Sequence, residues 1–189
     1  MTRQESLQRL LEGNSRFVSG MLAHPHQDPS WRQEAAKRQQ PFAAILTCSD
    51  SRTPPEILFD CGLGDLFVAR NAGNVADDVA IASLEFAAAR LSVPLILILG
   101  HQRCAAVQAA LEGRAAGRMA KIAEYLLPAV EIARNQPGDP LDNAARAHAK
   151  LACDLLSRIS PILKEKISTA EVTIIGAYYG LDQGIVELL

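Results

Sequence analysis

Two nearly unbroken apolar runs, Phe42 to Thr47 and Pro94 to Leu99, constrain this chain more than any other feature. A strand with one wet face alternates apolar and polar residues. These runs leave no face for water, which is the pattern of strands covered by helices on both sides of a parallel sheet. Leu66 to Ala69 and Val172 to Ala177 read as two more strands. Helical patterns lie between them at Val79 to Leu91, Cys104 to Leu111, Ile122 to Arg134 and Asn143 to Ile159, with Pro128 predicting a kink in the third. The alternation predicts an α/β fold with right-handed crossovers: a mainly parallel central sheet of about four strands, flanked by helices. Gly180-Leu181-Asp182-Gln183-Gly184 reads as a hairpin turn, so Ile185 to Leu189 is expected to add an antiparallel C-terminal edge strand.

Ahead of the first strand, Ser6 to Val18 places Leu7, Leu10, Leu11 and Phe17 at helical spacing, giving one apolar stripe on a polar helix. The following stretch, His24 to Pro29, reads as extended and is expected to carry that helix away from the core. Residues 1–30 thus form an N-terminal helical arm, with a partner subunit as its landing site. A chain of 189 residues fits one domain with a full core, so 1–189 is read as a single domain.

The formal net charge is −2 and the basic residues are scattered, which argues against nucleic acid or an anionic membrane as a partner. The longest apolar run is too short to span a bilayer, and the opening residues mix Arg3 with Glu5 instead of forming a signal sequence. A soluble, cytoplasmic protein is expected. Four cysteines in a chain able to build its own core suit metal ligation or burial in a reducing compartment better than a disulfide framework.

Ligands of parallel sheets gather beyond the carboxyl ends of the strands. Cys48 and His101 each sit at such an end, and Cys104 follows His101 by three residues at a helix start. Two thiolates and one imidazole leave the fourth tetrahedral place open, which marks a catalytic rather than a structural site, and their softness favours Zn2+ over magnesium or calcium. In Cys48-Ser49-Asp50-Ser51-Arg52, Arg52 can hold Asp50 ionised beside a metal-bound water. Taken singly, the cysteines would be core thiols and Asp50 with Arg52 a surface pair. Their convergence reverses that. Cys61 and Cys153 read as structural, and His24, His26 and His148 as solvated. Arg70 and Asn71 serve either to brace the site or to end a strand.

Three motifs in order, Cys-x-Asp-x-Arg, then Arg70-Asn71-Ala72-Gly73-Asn74, then His-x-x-Cys, resemble the β class of carbonic anhydrases. The resemblance runs over nearly the whole chain. It implies reversible hydration of CO2 to bicarbonate and a proton by a zinc-bound hydroxide, with Cys48, His101 and Cys104 as metal ligands and Asp50 and Arg52 as the catalytic dyad. It also implies a homodimer or an assembly of dimers with the N-terminal arm on the neighbour. Members with a noncatalytic bicarbonate site carry Trp where Ile45 stands, so the open-site subclass is favoured, in which Gln39 and Phe67 match positions lining the substrate pocket. Ala105 stands where the family usually has Gly, adding a methyl group to the pocket, and Phe86 where it often has Tyr. The same site suits hydrolysis of COS or CS2, and a noncatalytic zinc-binding or interaction protein would retain the same fold.

Overall fold

The computed structural model describes residues 1–189. Five strands, β1 (Ala43–Cys48), β2 (Leu66–Asn71), β3 (Leu95–His101), β4 (Thr173–Tyr179) and β5 (Val186–Leu188), form one sheet in the order β2-β1-β3-β4-β5. The first four are parallel and β5 is antiparallel to β4. Eight helices surround the sheet: α1 (Arg3–Ser19), α2 (Pro29–Ala35), α3 (Pro55–Leu58), α4 (Asp78–Arg90), α5 (Ala105–Leu111), α6 (Met119–Arg134), α7 (Pro140–Ile159) and α8 (Pro161–Ser168).

The uniform apolarity of β1 and β3 has a direct cause: every residue of both strands is buried, and alternate residues enter different cores. Ala44, Leu46, Ile96 and Ile98 pack with Leu84 of α4, Ala149 and Leu156 of α7 and Leu163 of α8. Ala43, Ile45, Leu95, Leu97 and Leu99 pack on the opposite face with Leu10 of α1, Leu58 and Phe59. β2, at the sheet edge, is only half-buried. A third cluster joins Cys48 and Cys104 to Val107, Leu126, Val130 and Tyr178, closing the carboxyl end of the sheet beneath α5 and α6. Helix α6 runs continuously from Met119 to Arg134 with Pro128 inside it.

The amino-terminal helix differs from the expectation of an arm extended off the core. Thr2 and Glu5 form a capping box at its start, and Leu10 is only 1% exposed against the chain's own sheet. Asn14 donates to the Leu58 and Gly184 carbonyls at 3.1 and 2.9 Å and accepts from the Val186 N–H at 2.9 Å. Gly13 allows the approach, since a Cβ there would stand 1.9 Å from the Phe59 carbonyl oxygen. The segment after α1 turns back instead of extending: His24 and His26 adopt φ of 48° and 56°, and the buried Asp60 carboxylate accepts from the Ala23 and His24 N–H groups. Leu10 is therefore covered within one chain, while Leu7, Leu11 and Phe17 of the same stripe are only half-buried.

Candidate metal centre

Strands β1 and β3 are hydrogen-bonded neighbours running the same way, so their last residues emerge side by side. Cys48 ends β1 and His101 ends β3. The chain then turns through Arg103, at φ 53°, and returns Cys104 to the same place as the N-cap of α5. The ligand atoms of Cys48, His101 and Cys104 all lie within 4.8 Å of one another, and all three residues are buried. The two sulfurs are 3.9 Å apart.

His101 is oriented by its neighbour: Nδ1 lies 2.9 Å from the Gln102 carbonyl oxygen, an acceptor, so Nδ1 carries the proton. Its Nε2 is then a lone pair, buried and without a hydrogen-bond partner. Such an atom in a protein interior calls for a ligand. The sulfurs are unequal when they share one proton. The hydrogen bond from Cys104 is the main cause that pulls Cys48 down from the ordinary thiol range, helped by His101 and by the Gly73 and Asp50 backbone against the cost of burial. That same bond, then burial, pushes Cys104 upward. Two thiolates this close in a buried site need a cation between them.

Beside the ligands, Arg52 holds the Asp50 carboxylate, with Nε on Oδ1 at 2.9 Å and Nη2 on Oδ2 at 2.7 Å. The Arg52 hydrogen bonds keep Asp50 well below the usual carboxylate range, outweighing desolvation. Arg70 decides the alternative that the sequence leaves open: it donates to the Cys48 carbonyl at 2.9 Å and the Asp50 carbonyl at 2.7 Å, bracing the segment that carries both. Asn71 braces the adjoining turn by exchanging hydrogen bonds with the Val75 backbone, each 2.8 Å. That turn holds Gly73 at φ 77°, and its N–H donates to Cys48 Sγ at 3.3 Å. A side chain is rarely tolerated in that conformation.

The structure brings together Cys48, His101, Cys104, Asp50 and Arg52, and places Ala105 directly after Cys104 at the exposed start of α5. It does not bring Gln39 or Phe67 to them within one chain. Gln39 is exposed ahead of β1, at the opposite end of the strand from Cys48. Phe67 pairs with Ala44, four residues upstream of the Asn71–Cys48 pair, or about 13 Å along the strand. Its ring lies 6.1 Å from that of Phe86 on α4, which is 48% exposed. His148 is not solvated: it is 4% exposed, with Nε2 3.3 Å from the Asn74 carbonyl oxygen. His26 is stacked on Trp31 with ring centroids 3.8 Å apart, and its Nδ1 meets Asp65 at 2.9 Å.

Sequence reasoning missed the Arg103 clamp. Arg103 donates to Asp182 at 3.0 and 2.6 Å, Gln102 donates to the same carboxylate at 3.0 Å, and the Arg103 carbonyl accepts from Arg52 at 3.3 Å. The turn before β5 thereby pins the loop that joins two ligands. No local signal announces it, because Asp182 lies far along the chain.

A model of the carbonic anhydrase family matches residues 43–186, most of the chain and all of the site. Carbonic anhydrase 2 of Mycobacterium tuberculosis is 39% identical over 180 residues, covering 93% of this chain and 87% of the relative. Among solved structures, a Coccomyxa β-carbonic anhydrase in complex with acetazolamide has a TM-score of 0.76 at 25% identity, covering 97% of this chain and 86% of that one. The chain belongs to the β-class carbonic anhydrases. A tetrameric β-carbonic anhydrase from Sordaria macrospora shares the fold, with a TM-score of 0.79 at 24% identity and coverage of 98% and 97% of the two chains. The β-carbonic anhydrase fold thus accounts for the order of the strands, and the chain is an enzyme of a lyase family. In this carbonic anhydrase the position read for subclass, Ile45, is fully buried between the sheet and Leu10.

Proposed function

We propose that this carbonic anhydrase hydrates CO2 reversibly to bicarbonate and a proton at a zinc ion held by Cys48, His101 and Cys104. The observation that carries the reading is the buried, unpartnered Nε2 of His101 facing two sulfurs 3.9 Å apart. The donor set fits zinc: tetrahedral bonds of about 2.3 Å to sulfur put two sulfurs about 3.8 Å apart, and three protein ligands leave one place for a reactant. The chemistry that zinc supplies when bound is acidification of a water, making it nucleophilic towards CO2 near neutral pH.

The chain's own residues supply orientation and a fixed field. Asp50, kept ionised by Arg52, can only accept hydrogen bonds, and a carboxylate has about four acceptor sites, so about one remains free, on Oδ2, after the three hydrogen bonds from Arg52. That site takes a hydrogen of the attacking water and turns its lone pair towards CO2. Arg70 and Gly73 hold Asp50 and Cys48 in register while this happens. The retained dyad supports catalysis over a purely zinc-binding role. We place the enzyme in a reducing, cytoplasmic setting, which suits its four free cysteines, and as a homodimer or an assembly of dimers. No helix is long and apolar enough to cross a membrane.

The test is stopped-flow CO2 hydration by metal-replete protein, with COS and CS2 hydrolysis run in parallel. Hydration that is lost in Cys48→Ser together with zinc is expected. Absent CO2 hydration with rapid COS or CS2 hydrolysis would reassign the substrate.

A further inference from the structure

Only Gln102 and Arg103 separate His101 from Cys104, so whatever holds these two residues also holds two metal ligands. Their turn is not a relaxed one. Arg103 sits at φ 53°, in the left-handed region that residues other than glycine seldom adopt, and such a conformation persists where its surroundings fix it.

Asp182, in the turn between β4 and β5, supplies the fixing contacts. Arg103 places Nη1 on Oδ2 at 3.0 Å and Nη2 on Oδ1 at 2.6 Å, and Gln102 Nε2 donates to Oδ2 at 3.0 Å. The Asp182 N–H donates in return to Gln102 Oε1 at 3.3 Å. The ion pair is exposed, Arg103 at 51% and Asp182 at 59%, and an isolated pair of that kind contributes little to folding. This one is two-pronged and shared with Gln102, and its carboxylate stands on a turn that is itself fixed. The Gly180 N–H donates to the Ile185 carbonyl at 2.9 Å and the Gly184 N–H to the Gly180 carbonyl at 2.8 Å. Asn14 of α1 then ties that turn to the body of the chain through the Gly184 carbonyl and the Val186 N–H, each at 2.9 Å.

The backbone of the same two residues serves the centre. The Gln102 carbonyl accepts from His101 Nδ1 at 2.9 Å, which leaves Nε2 for the metal. The Arg103 carbonyl accepts at 3.3 Å from Arg52 Nη2, the nitrogen that also grips Asp50 Oδ2. We propose that Asp182 is a positioning residue for the metal centre: by gripping Gln102 and Arg103 it presets the turn that carries His101 and Cys104 and that steadies Arg52 on Asp50. This role rests on the zinc centre of the proposed function.

The test uses the full chain loaded with zinc or with cobalt(II), whose visible absorption reports ligand geometry. Asp182→Ala is expected to weaken zinc, measured by chelator competition, at least about fivefold, somewhat less than the roughly 10- to 100-fold lost with a group that touches a ligand directly. It should also shift the cobalt spectrum. Asp182→Asn, which keeps one acceptor oxygen, should fall between Asp182→Ala and wild type. Arg103→Ala combined with Asp182→Ala should bind zinc within about twofold of Asp182→Ala alone, since both changes remove one contact. Glu187→Ala breaks another exposed ion pair, to Arg146, on the adjoining strand, and should leave zinc affinity within about twofold of wild type and the cobalt spectrum unmoved. Zinc affinity of Asp182→Ala within twofold of wild type, an unshifted cobalt spectrum, additive losses in the double variant, or an equal loss in Glu187→Ala would each overturn the positioning role. None of these readings needs turnover of CO2. A wild type that binds zinc without hydrating CO2 would therefore fault the proposed reaction alone, whereas one that takes up neither metal would overturn both.

Discussion

Arg52 grips both oxygens of Asp50, Nε to Oδ1 at 2.9 Å and Nη2 to Oδ2 at 2.7 Å, and its own backbone N–H adds a third contact to Oδ1 at 2.9 Å. This fork does two things at once: it keeps the carboxylate charged, and it fixes which lone pairs face the metal centre. Neither group is among the three metal ligands.

The first prediction separates these roles from ligation. Asp50→Asn should keep zinc at wild-type stoichiometry and lower the CO2 hydration rate by about 10²- to 10⁴-fold, the range for losing a positioned proton acceptor. Arg52→Lys should not rescue Arg52→Ala, since an ammonium cannot span both oxygens. Stopped-flow rates beside elemental analysis read both. Activity within twofold of wild type in Asp50→Asn would take the dyad out of the mechanism.

Metal removal is the second prediction. Without a cation the buried sulfurs are left sharing one proton, and His101 Nε2 is left without a partner. Chelation should therefore lower the melting temperature, and zinc should restore it; a ligand at about 1,000 times its Kd adds about 4 kcal/mol to folding stability. His101→Ala should melt at the same temperature with or without chelator. Scanning calorimetry checks both, and a chelator-insensitive wild type would mean that the cluster holds no structural or catalytic metal.

How much of this was legible in the sequence depended on how local each signal was. The apolar runs of β1 and β3 are buried on both faces, so their composition alone states their environment. Cys48, His101 and Cys104 stand at strand ends and at a helix start, where spacing predicts convergence. The cover of α1 was not legible, because an amphipathic stripe says that a face is buried without saying against what. Its answer lies in Gly13 against Phe59 and in Asn14 against Gly184, pairs remote in sequence. His148 failed for a similar reason. On a helix with polar neighbours it reads as solvated, yet α7 turns that face onto the turn at Asn74. Gln39 and Phe67 were matched by position to a family pattern, and within one chain the parallel strands hold them away from the ligands.

A third prediction follows from α1 lying on its own chain. Leu10→Ala should cost about 2–5 kcal/mol of folding stability, as for a fully buried leucine. Gly13→Ala should also destabilise, because the added Cβ meets the Phe59 carbonyl and the helix must move. Urea unfolding of the zinc-loaded protein reads both, with sedimentation alongside. If Leu10→Ala instead changed only the association state and left the unfolding midpoint untouched, the helix would be serving a partner surface.

The last prediction concerns acid. His148 binds its proton less readily in the folded chain than when unfolded, first because it is desolvated, and hydrogen bonds to the Asn74 and Gly73 backbone only partly offset this. Arg158 on α7, whose charge opposes a second cation, and Tyr125 on α6 line the same open groove between α6 and α7 as His148. With the folded pKa depressed, the unfolded state takes up more protons below the ordinary histidine value of about 6.5, so the slope of unfolding free energy against pH is positive there. Stability is whole above that value and is lost as pH falls below it, until the folded imidazole itself titrates. At pH 5.5 the loss amounts to about 1.4 kcal/mol if the folded ring remains neutral, and near pH 7.5 it vanishes. Other groups also titrate over this range, so the quantity to measure is the difference between wild type and His148→Phe. Urea unfolding of both proteins, zinc-loaded, at pH 7.5 and 5.5 should show wild type losing about 1 kcal/mol more than the variant. Equal losses would mean that His148 takes its proton as readily inside the fold as outside, against the burial that desolvates it.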